Sequence, residues 1–143
     1  MTLTPDQFMA ALCLWREARG QSLAAKAAVY NVILNRSTDP KGRWPKTPWG
    51  VVLQPFQFSS FNQGEVNSTK FPVESNKADW NAWLDCLSVV AAPIGGDSTQ
   101  GANFYHDSSI EPPAKAWLGG AATKDDLLAK LTCKIGAFSF YRL

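Results

Sequence analysis

Thr4-Pro5-Asp6-Gln7-Phe8-Met9-Ala10-Ala11-Leu12-Cys13-Leu14-Trp15-Arg16-Glu17-Ala18-Arg19-Gly20-Gln21-Ser22 decides how the rest of the chain is read. Thr4 suits an N-cap, Pro5 the first helical position, and Gln7 closes a capping box. Leu3 and Phe8 stand where a hydrophobic staple would put them. The spacing predicts a helix over 5–18. Gly20 ends it, and Ser22 caps a second helix over 23–35. Ala24, Ala25, Ala27 and Ala28 let a neighbouring helix approach closely, while Tyr30, Ile33 and Leu34 supply larger apolar contacts. Glu17 falls at the end of the first apolar helix, beside the glycine turn. Burial there disfavours the charged form of a carboxyl group and raises its pKa. A protonated Glu near neutral pH is what a glycosidase uses to protonate a leaving oxygen. The plainer reading of Glu17 is an ion pair with Arg16, Arg19 or Arg36.

The remaining pattern is simpler. Pro40, Gly42, Pro45 and Pro48 mark residues 37–48 as loop, and 49–53 suit one helical turn before Pro55. Phe56-Gln57-Phe58-Ser59-Ser60-Phe61 suits a strand or extended loop, and 62–75 a polar loop. Trp80, Trp83, Leu84, Leu87 and Val90 recur at helical spacing, predicting a third long helix over 77–92 that Pro93 and Gly95-Gly96 stop. Residues 101–106 suit a strand or turn. Pro112-Pro113 opens a short segment around Trp117, broken by Gly119-Gly120. Thr123 and Asp126 cap a last helix running to Leu131, and 133–143 reads as a final strand. This is an α+β fold, mostly helical, with a single domain over 1–143.

Composition excludes several classes. Fourteen Lys and Arg against twelve Asp and Glu leave a net charge of +2, too little to neutralise a nucleic-acid backbone. His106 is the only histidine, and Cys13, Cys86 and Cys133 are far apart. Zinc hydrolases need several such ligands at defined spacing, so no metal or other cofactor is expected. Three cysteines do not make a disulfide framework, and the thiols read as buried and reduced. A cysteine peptidase or amidase would have to pair Cys133 with His106, which nothing in the sequence links. Met1 to Asp6 lacks a basic segment followed by an apolar run, so no secretory signal is expected. No apolar stretch approaches a membrane span, so no membrane insertion is expected.

Glu17-Ala18-Arg19-Gly20, Ala27-Ala28-Val29 and Val32-Ile33-Leu34-Asn35-Arg36 carry a resemblance. Gly50-Val51-Val52, Gln54-Pro55, Phe58-Ser59, Gly101-Ala102-Asn103-Phe104-Tyr105, Ile135-Gly136 and Phe140 extend it in order. Over 12–141 the chain resembles the cell-wall hydrolase family of the spore cortex-lytic enzyme (SleB) type. The resemblance implies a lysozyme-like, lytic-transglycosylase-like fold and cleavage of peptidoglycan glycan strands. It also implies that Glu17 is the catalytic acid. Three departures stand out: the family usually has Gly at Arg16, Glu at Gln21 and His at Phe138.

A lytic transglycosylase needs only Glu17, whereas a hydrolytic muramidase usually adds a second carboxylate, for which Glu65, Asp97, Asp107 and Glu111 are candidates. Six tryptophans are many for this length. Trp and Tyr stack on sugar faces and bond through their polar edges. Trp80 and Trp83 read as core, and Trp44 and Trp49 as groove candidates. Phe58, Asn103 and Tyr105 are candidate saccharide contacts, and Gln57 and Ser59 suit N-acetyl groups. Tyr30 reads as core with its hydroxyl turned toward the site, and His106 as a packing residue. A non-catalytic glycan-binding module would use the same aromatics. A bare catalytic domain of this kind resembles a phage endolysin. The expectation is a monomer made in the host cytoplasm and released to the wall with the help of a holin.

Overall fold

The computed structural model describes residues 2–55, 57–92, 95–109 and 123–143. Helix α1 spans Pro5–Ala18, with both halves of the Thr4/Gln7 capping box formed. The Thr4 amide donates to Gln7 Oε1 at 2.9 Å, and the Gln7 amide to Thr4 Oγ1 at 3.2 Å. Phe8 leaves its ring half exposed and edge-on to Trp83. From Ala10 to Arg16 every residue of α1 is buried. A helix apolar on all sides belongs in the middle of a fold, and α1 does pack against α2, α3 and α4.

Helix α2 spans Leu23–Ser37, two residues longer than the spacing predicted, with Ser22 as its cap. Ala25 and Ala28 are fully buried in it, beside Val29, Val32 and Ile33. Helix α3 spans Pro48–Leu53 and is tied to α1 where the Trp49 amide donates to Asp6 Oδ1 at 2.9 Å. Helix α4 spans Lys77–Ala91, as the tryptophan spacing predicted to within a residue. Of the two readings for 56–61, strand or extended loop, no strand forms among the described residues; a short 3-10 turn covers Ser59–Phe61, and a second covers Val66–Thr69.

The C-terminal third forms a three-stranded antiparallel sheet: β1 is Phe104–Asp107, β2 Leu131–Ile135 and β3 Phe138–Tyr141. β3 is the central strand, with Phe104 opposite Tyr141 and Ile135 opposite Phe138. The expected single final strand is thus a hairpin. Gly136 turns it, at φ +57, a conformation that disfavours a Cβ. Helix α5 spans Lys124–Leu128, capped by Thr123 and Asp126 as expected, but ends earlier so that Leu131 can enter β2. The segment around Pro112-Pro113 and Trp117, with Glu111 and Gly119-Gly120, lies outside the described residues, as do Phe56 and Pro93.

Helices and sheet share one hydrophobic core, with a small satellite of Leu127 and Tyr141. All three cysteines are free; Cys13 and Cys86 are buried, but Cys133 is partly exposed, against expectation. Among the described residues no helix is long and apolar enough to cross a membrane. No cluster of three or more His, Cys, Asp or Glu side chains there is placed to hold a metal ion.

Candidate active site

The corner between α1 and α2 carries Glu17 and is held from several sides. Trp15 Nε1 donates to the Asp79 carbonyl on α4 at 3.0 Å. Lys26, only 1% exposed, reaches back from α2 and donates through Nζ to the carbonyls of Arg19 at 3.2 Å and Gln21 at 2.5 Å. A cation on the last carbonyls of a helix satisfies groups that have no partner within the helix and opposes the negative end of its dipole. Gln21 then accepts from the Ala137 amide at 3.4 Å, which docks the β-hairpin turn on the same corner.

Glu17 is half-buried. It makes no ion pair with a described residue; the arginines of the simpler reading go elsewhere. Arg19 lies over the Trp15 ring, 4.6 Å from its centroid. Arg36, 4% exposed, donates from Nε to the Asn103 carbonyl at 2.7 Å and from Nη1 to Gln57 Oε1 at 3.4 Å. Burial lowers its pKa to about 10, so it is still charged at neutral pH. Arg16 grips backbone carbonyls across the site. The partner Glu17 does have is Ser60: its hydroxyl donates to Glu17 Oε1 at 2.7 Å and its amide to the same oxygen at 3.3 Å. No hydrogen bond from a described residue reaches Oε2.

Tyr105, on β1, stands near Glu17. Burial pushes its hydroxyl well above the usual tyrosine range, and the charge of Glu17 pushes it further. Its hydroxyl is therefore a neutral donor at any physiological pH. The ring is partly exposed, stacked on Phe140 at 5.8 Å and edge-on to Phe138 at 5.2 Å. Phe138 thus uses the position of the family's usual histidine for packing. Cys13 lies on the inner side of the same charges; burial raises its thiol well above the ordinary value, and Glu17 adds to the shift.

Several expected contacts fall elsewhere. Phe58 is 3% exposed and Trp44 9%, so both are core instead of saccharide platforms. Trp44 Nε1 donates to Gln57 Oε1 at 3.0 Å, so that oxygen, which Arg36 also uses, serves the interior instead of an N-acetyl group. Asn103 is buried, and its side chain brackets Leu143 from both sides, at 2.9 and 2.8 Å. Tyr30 lines a cavity of about 690 Å³ with Leu23, Ala27, Asn31 and Val89, which Glu17 does not line. Ser59 is exposed beside the buried Ser60. Trp83 is core, as expected, and Trp49 is 45% exposed. His106 packs as expected, its Nε2 2.7 Å from the Tyr141 hydroxyl and its Nδ1 2.7 Å from the Asp107 carbonyl; neither ring nitrogen is turned to Cys133.

Of the candidate second carboxylates, Asp97 accepts from Thr99 on one oxygen, and from Asn35 and Gly101 on the other. Asp107 accepts twice from Ser109. Both organise turns. Glu65 is exposed at the start of the second 3-10 turn, and Glu111 lies outside the described residues. Ser60 is the residue that sequence reasoning missed. Its only signal was a second hydroxyl next to Ser59.

The fold has counterparts among solved structures. The catalytic domain of the Bacillus anthracis germination-specific lytic transglycosylase SleB superposes with a TM-score of 0.62 at 25% identity, over 99% of this chain and 97% of that one. The catalytic domain of Bacillus cereus SleB superposes with a TM-score of 0.61 at 24% identity, over 99% and 93%. These likenesses bear out the expected lysozyme-like α+β fold. A spore cortex-lytic enzyme of Halalkalibacterium halodurans is 30% identical over 112 residues, 78% of this chain. The chain spans only 30% of that relative's length. A family model described as cell wall hydrolase matches residues 20–141, beginning just after Glu17. With most of its length matched, the chain belongs to the cell wall hydrolase family.

Proposed function

We propose that this chain cleaves the β-1,4 bond between N-acetylmuramic acid and N-acetylglucosamine in peptidoglycan, as a lytic transglycosylase with Glu17 as its one catalytic carboxylate. The observation that carries the reading is the asymmetry of Glu17. Oε1 accepts two hydrogen bonds from Ser60, and Oε2 accepts none from a described residue. An anchored carboxyl with one free oxygen has the form of a positioned acid and base. Glu17 would first donate its proton to the glycosidic oxygen as the bond to the muramoyl C1 breaks. The carboxylate left behind faces the positive charge developing at C1. It then takes the proton of the muramoyl C6 hydroxyl as that oxygen closes on C1. The product is a 1,6-anhydro end, the proton on Glu17 is restored, and no water is consumed. The neutral Tyr105 hydroxyl is suited to bonding the sugar beside the acid.

Mass spectrometry of digested sacculi tests the reaction, because anhydro and reducing ends differ by one water. Anhydro ends are expected; reducing ends throughout would replace the reading with a hydrolytic muramidase. Glu17→Gln keeps an oxygen for Ser60 but has no proton to give, and a loss of at least about a hundredfold in turnover is expected. Near-normal turnover would instead point to a different acid.

The delivery route is part of the same proposal: a monomeric, phage-type endolysin held in the host cytoplasm until a holin opens the membrane. Among the described residues no helix is long and apolar enough to cross a membrane. Culture density should fall promptly only when expression is combined with chloroform or a holin. Rapid lysis by the chain alone would refute holin dependence.

A further inference from the structure

Arg16 is 8% exposed and has no carboxylate partner among the described residues. Its guanidinium donates from Nε and Nη2 to the Lys70 carbonyl at 3.1 and 3.0 Å, and from Nη1 to the Ser60 carbonyl at 3.4 Å. The group lies between two rings, 4.6 Å from the centroid of Phe61 and 5.0 Å from that of Phe71. Burial lowers its pKa, the mark of a cation kept out of water. Between two phenylalanines an apolar side chain would pack at no electrostatic cost. An arginine instead brings a planar fork of donors whose directions are fixed relative to one another. Two of its donors hold the Lys70 carbonyl, and the third reaches Ser60, the residue that anchors Glu17.

The two grips are complementary. Glu17 accepts from the amide and hydroxyl of Ser60, while its neighbour Arg16 holds the carbonyl on the other side of the same residue. The peptides before and after Ser60 are thereby both tied to consecutive residues of α1. With its two peptides fixed, the Ser60 hydroxyl has a set position relative to the carboxyl it serves. Two donors on Oε1 occupy the lone pairs of that oxygen, which leaves Oε2 as the oxygen open to a substrate.

We propose that Arg16 is a positioning residue for Glu17, acting through Ser60, so that the acid keeps Oε1 anchored and presents Oε2 to the scissile oxygen. This rests on the reading of Glu17 as the catalytic acid.

The test measures kcat and KM on uncrosslinked peptidoglycan strands for Arg16→Lys, Arg16→Met, Ser60→Ala, the Arg16→Lys/Ser60→Ala pair and Glu17→Gln. Lysine keeps the charge and the aliphatic stem but loses the fork. Misplacing a catalytic group by a fraction of an ångström lowers kcat by about tenfold to a hundredfold, and that loss is expected for Arg16→Lys and for Ser60→Ala. KM should stay within about twofold, since no substrate contact is removed. The double variant should be no slower than the worse single one, because both act on one contact. The Ser60 amide proton, bonded to a carboxylate in the parent, should shift upfield in Arg16→Lys.

Unchanged kcat in Arg16→Lys, or losses that multiply in the double variant, would overturn the proposal and leave Arg16 a packing residue. If neither Arg16 variant folds, Ser60→Ala decides, and a parental kcat in it overturns the proposal. An active Glu17→Gln would sink the assignment of the acid itself. A dead Glu17→Gln beside a fully active Arg16→Lys would sink the positioning role alone.

Discussion

Gly136→Ala isolates the cost of the turn that makes a hairpin out of the C-terminal tail. Gly136 holds φ +57, and a Cβ added there would stand 3.1 Å from Ala25 Cβ and 3.4 Å from Gln21 Oε1. The left-handed conformation costs an L-residue about 1–2 kcal/mol. Ala25 is fully buried in the first turn of α2 and has nowhere to move, so the close contact adds to that cost. Against this, alanine restricts the unfolded chain, which returns about 0.4–1 kcal/mol. The net is a destabilisation of about 1–2 kcal/mol, or a drop of about 2–8 °C in Tm. Gly20→Ala is the internal control. It has no left-handed φ and no atom within 4 Å of the added Cβ, so it should leave stability unchanged or raised. Urea and thermal unfolding of the three proteins, followed by circular dichroism, give both numbers. A Gly136→Ala protein as stable as its parent would refute the reasoning, and so would a Gly20→Ala protein that falls equally far.

Acid should weaken the fold, in part through Asp97. Burial pushes its carboxyl up, but hydrogen bonds from Thr99, Asn35 and Gly101 outweigh that and hold it below the usual range. A depressed folded value means stability that is present above the unfolded carboxylate pKa near 4 and is lost as pH falls through the folded one. Asp97→Asn should therefore be less stable at neutral pH and show a shallower acid limb in unfolding titrations; an unchanged limb would contradict this. Iodoacetamide on the native protein should label Cys133, the one partly exposed thiol, and spare Cys13 and Cys86, the latter pushed up to about 12 by burial. Peptide mapping reads the labels, and turnover should persist, because the proposed steps use no thiolate. EDTA at fixed ionic strength should likewise leave turnover unchanged, as a chain with a single histidine and scattered cysteines offers no zinc site.

The helices were legible because their ends are written in local chemistry. Thr4 with Gln7, Ser22 before an alanine run, and Thr123 with Asp126 each mark a start within a few residues. The hairpin was not legible, since alternation continues straight through Gly136 and the left-handed φ that turns the chain there is not marked by the residues around it. The aromatic run before Phe61 looked like a strand because aromatics favour sheets. It coils instead, with Phe58 drawn into the core and Phe61 drawn under Arg16. Glu17 could be singled out as a candidate acid from its helix end and motif. Its anchor could not, because nothing local says which of Ser59 and Ser60 faces inward. Trp44 and Asn103 misled for one reason. Loop residues look available for ligands, but Gln57 takes the first, and the Arg36 side chain with the backbone of Leu143 takes the second.

The clamp on the loop hydrogen-bonds to backbone: Arg16 donates to the carbonyls of Ser60 and Lys70 while lying over the rings of Phe61 and Phe71. Any residue supplies a carbonyl, so the hydrogen bonds from Arg16 do not depend on which side chains stand at its two grips. The stretch between them is polar and exposed, with Val66 73% exposed and Gly64 in a left-handed turn. One side chain of α1 thus spans the stretch and fixes both of its ends against the helix that carries Glu17.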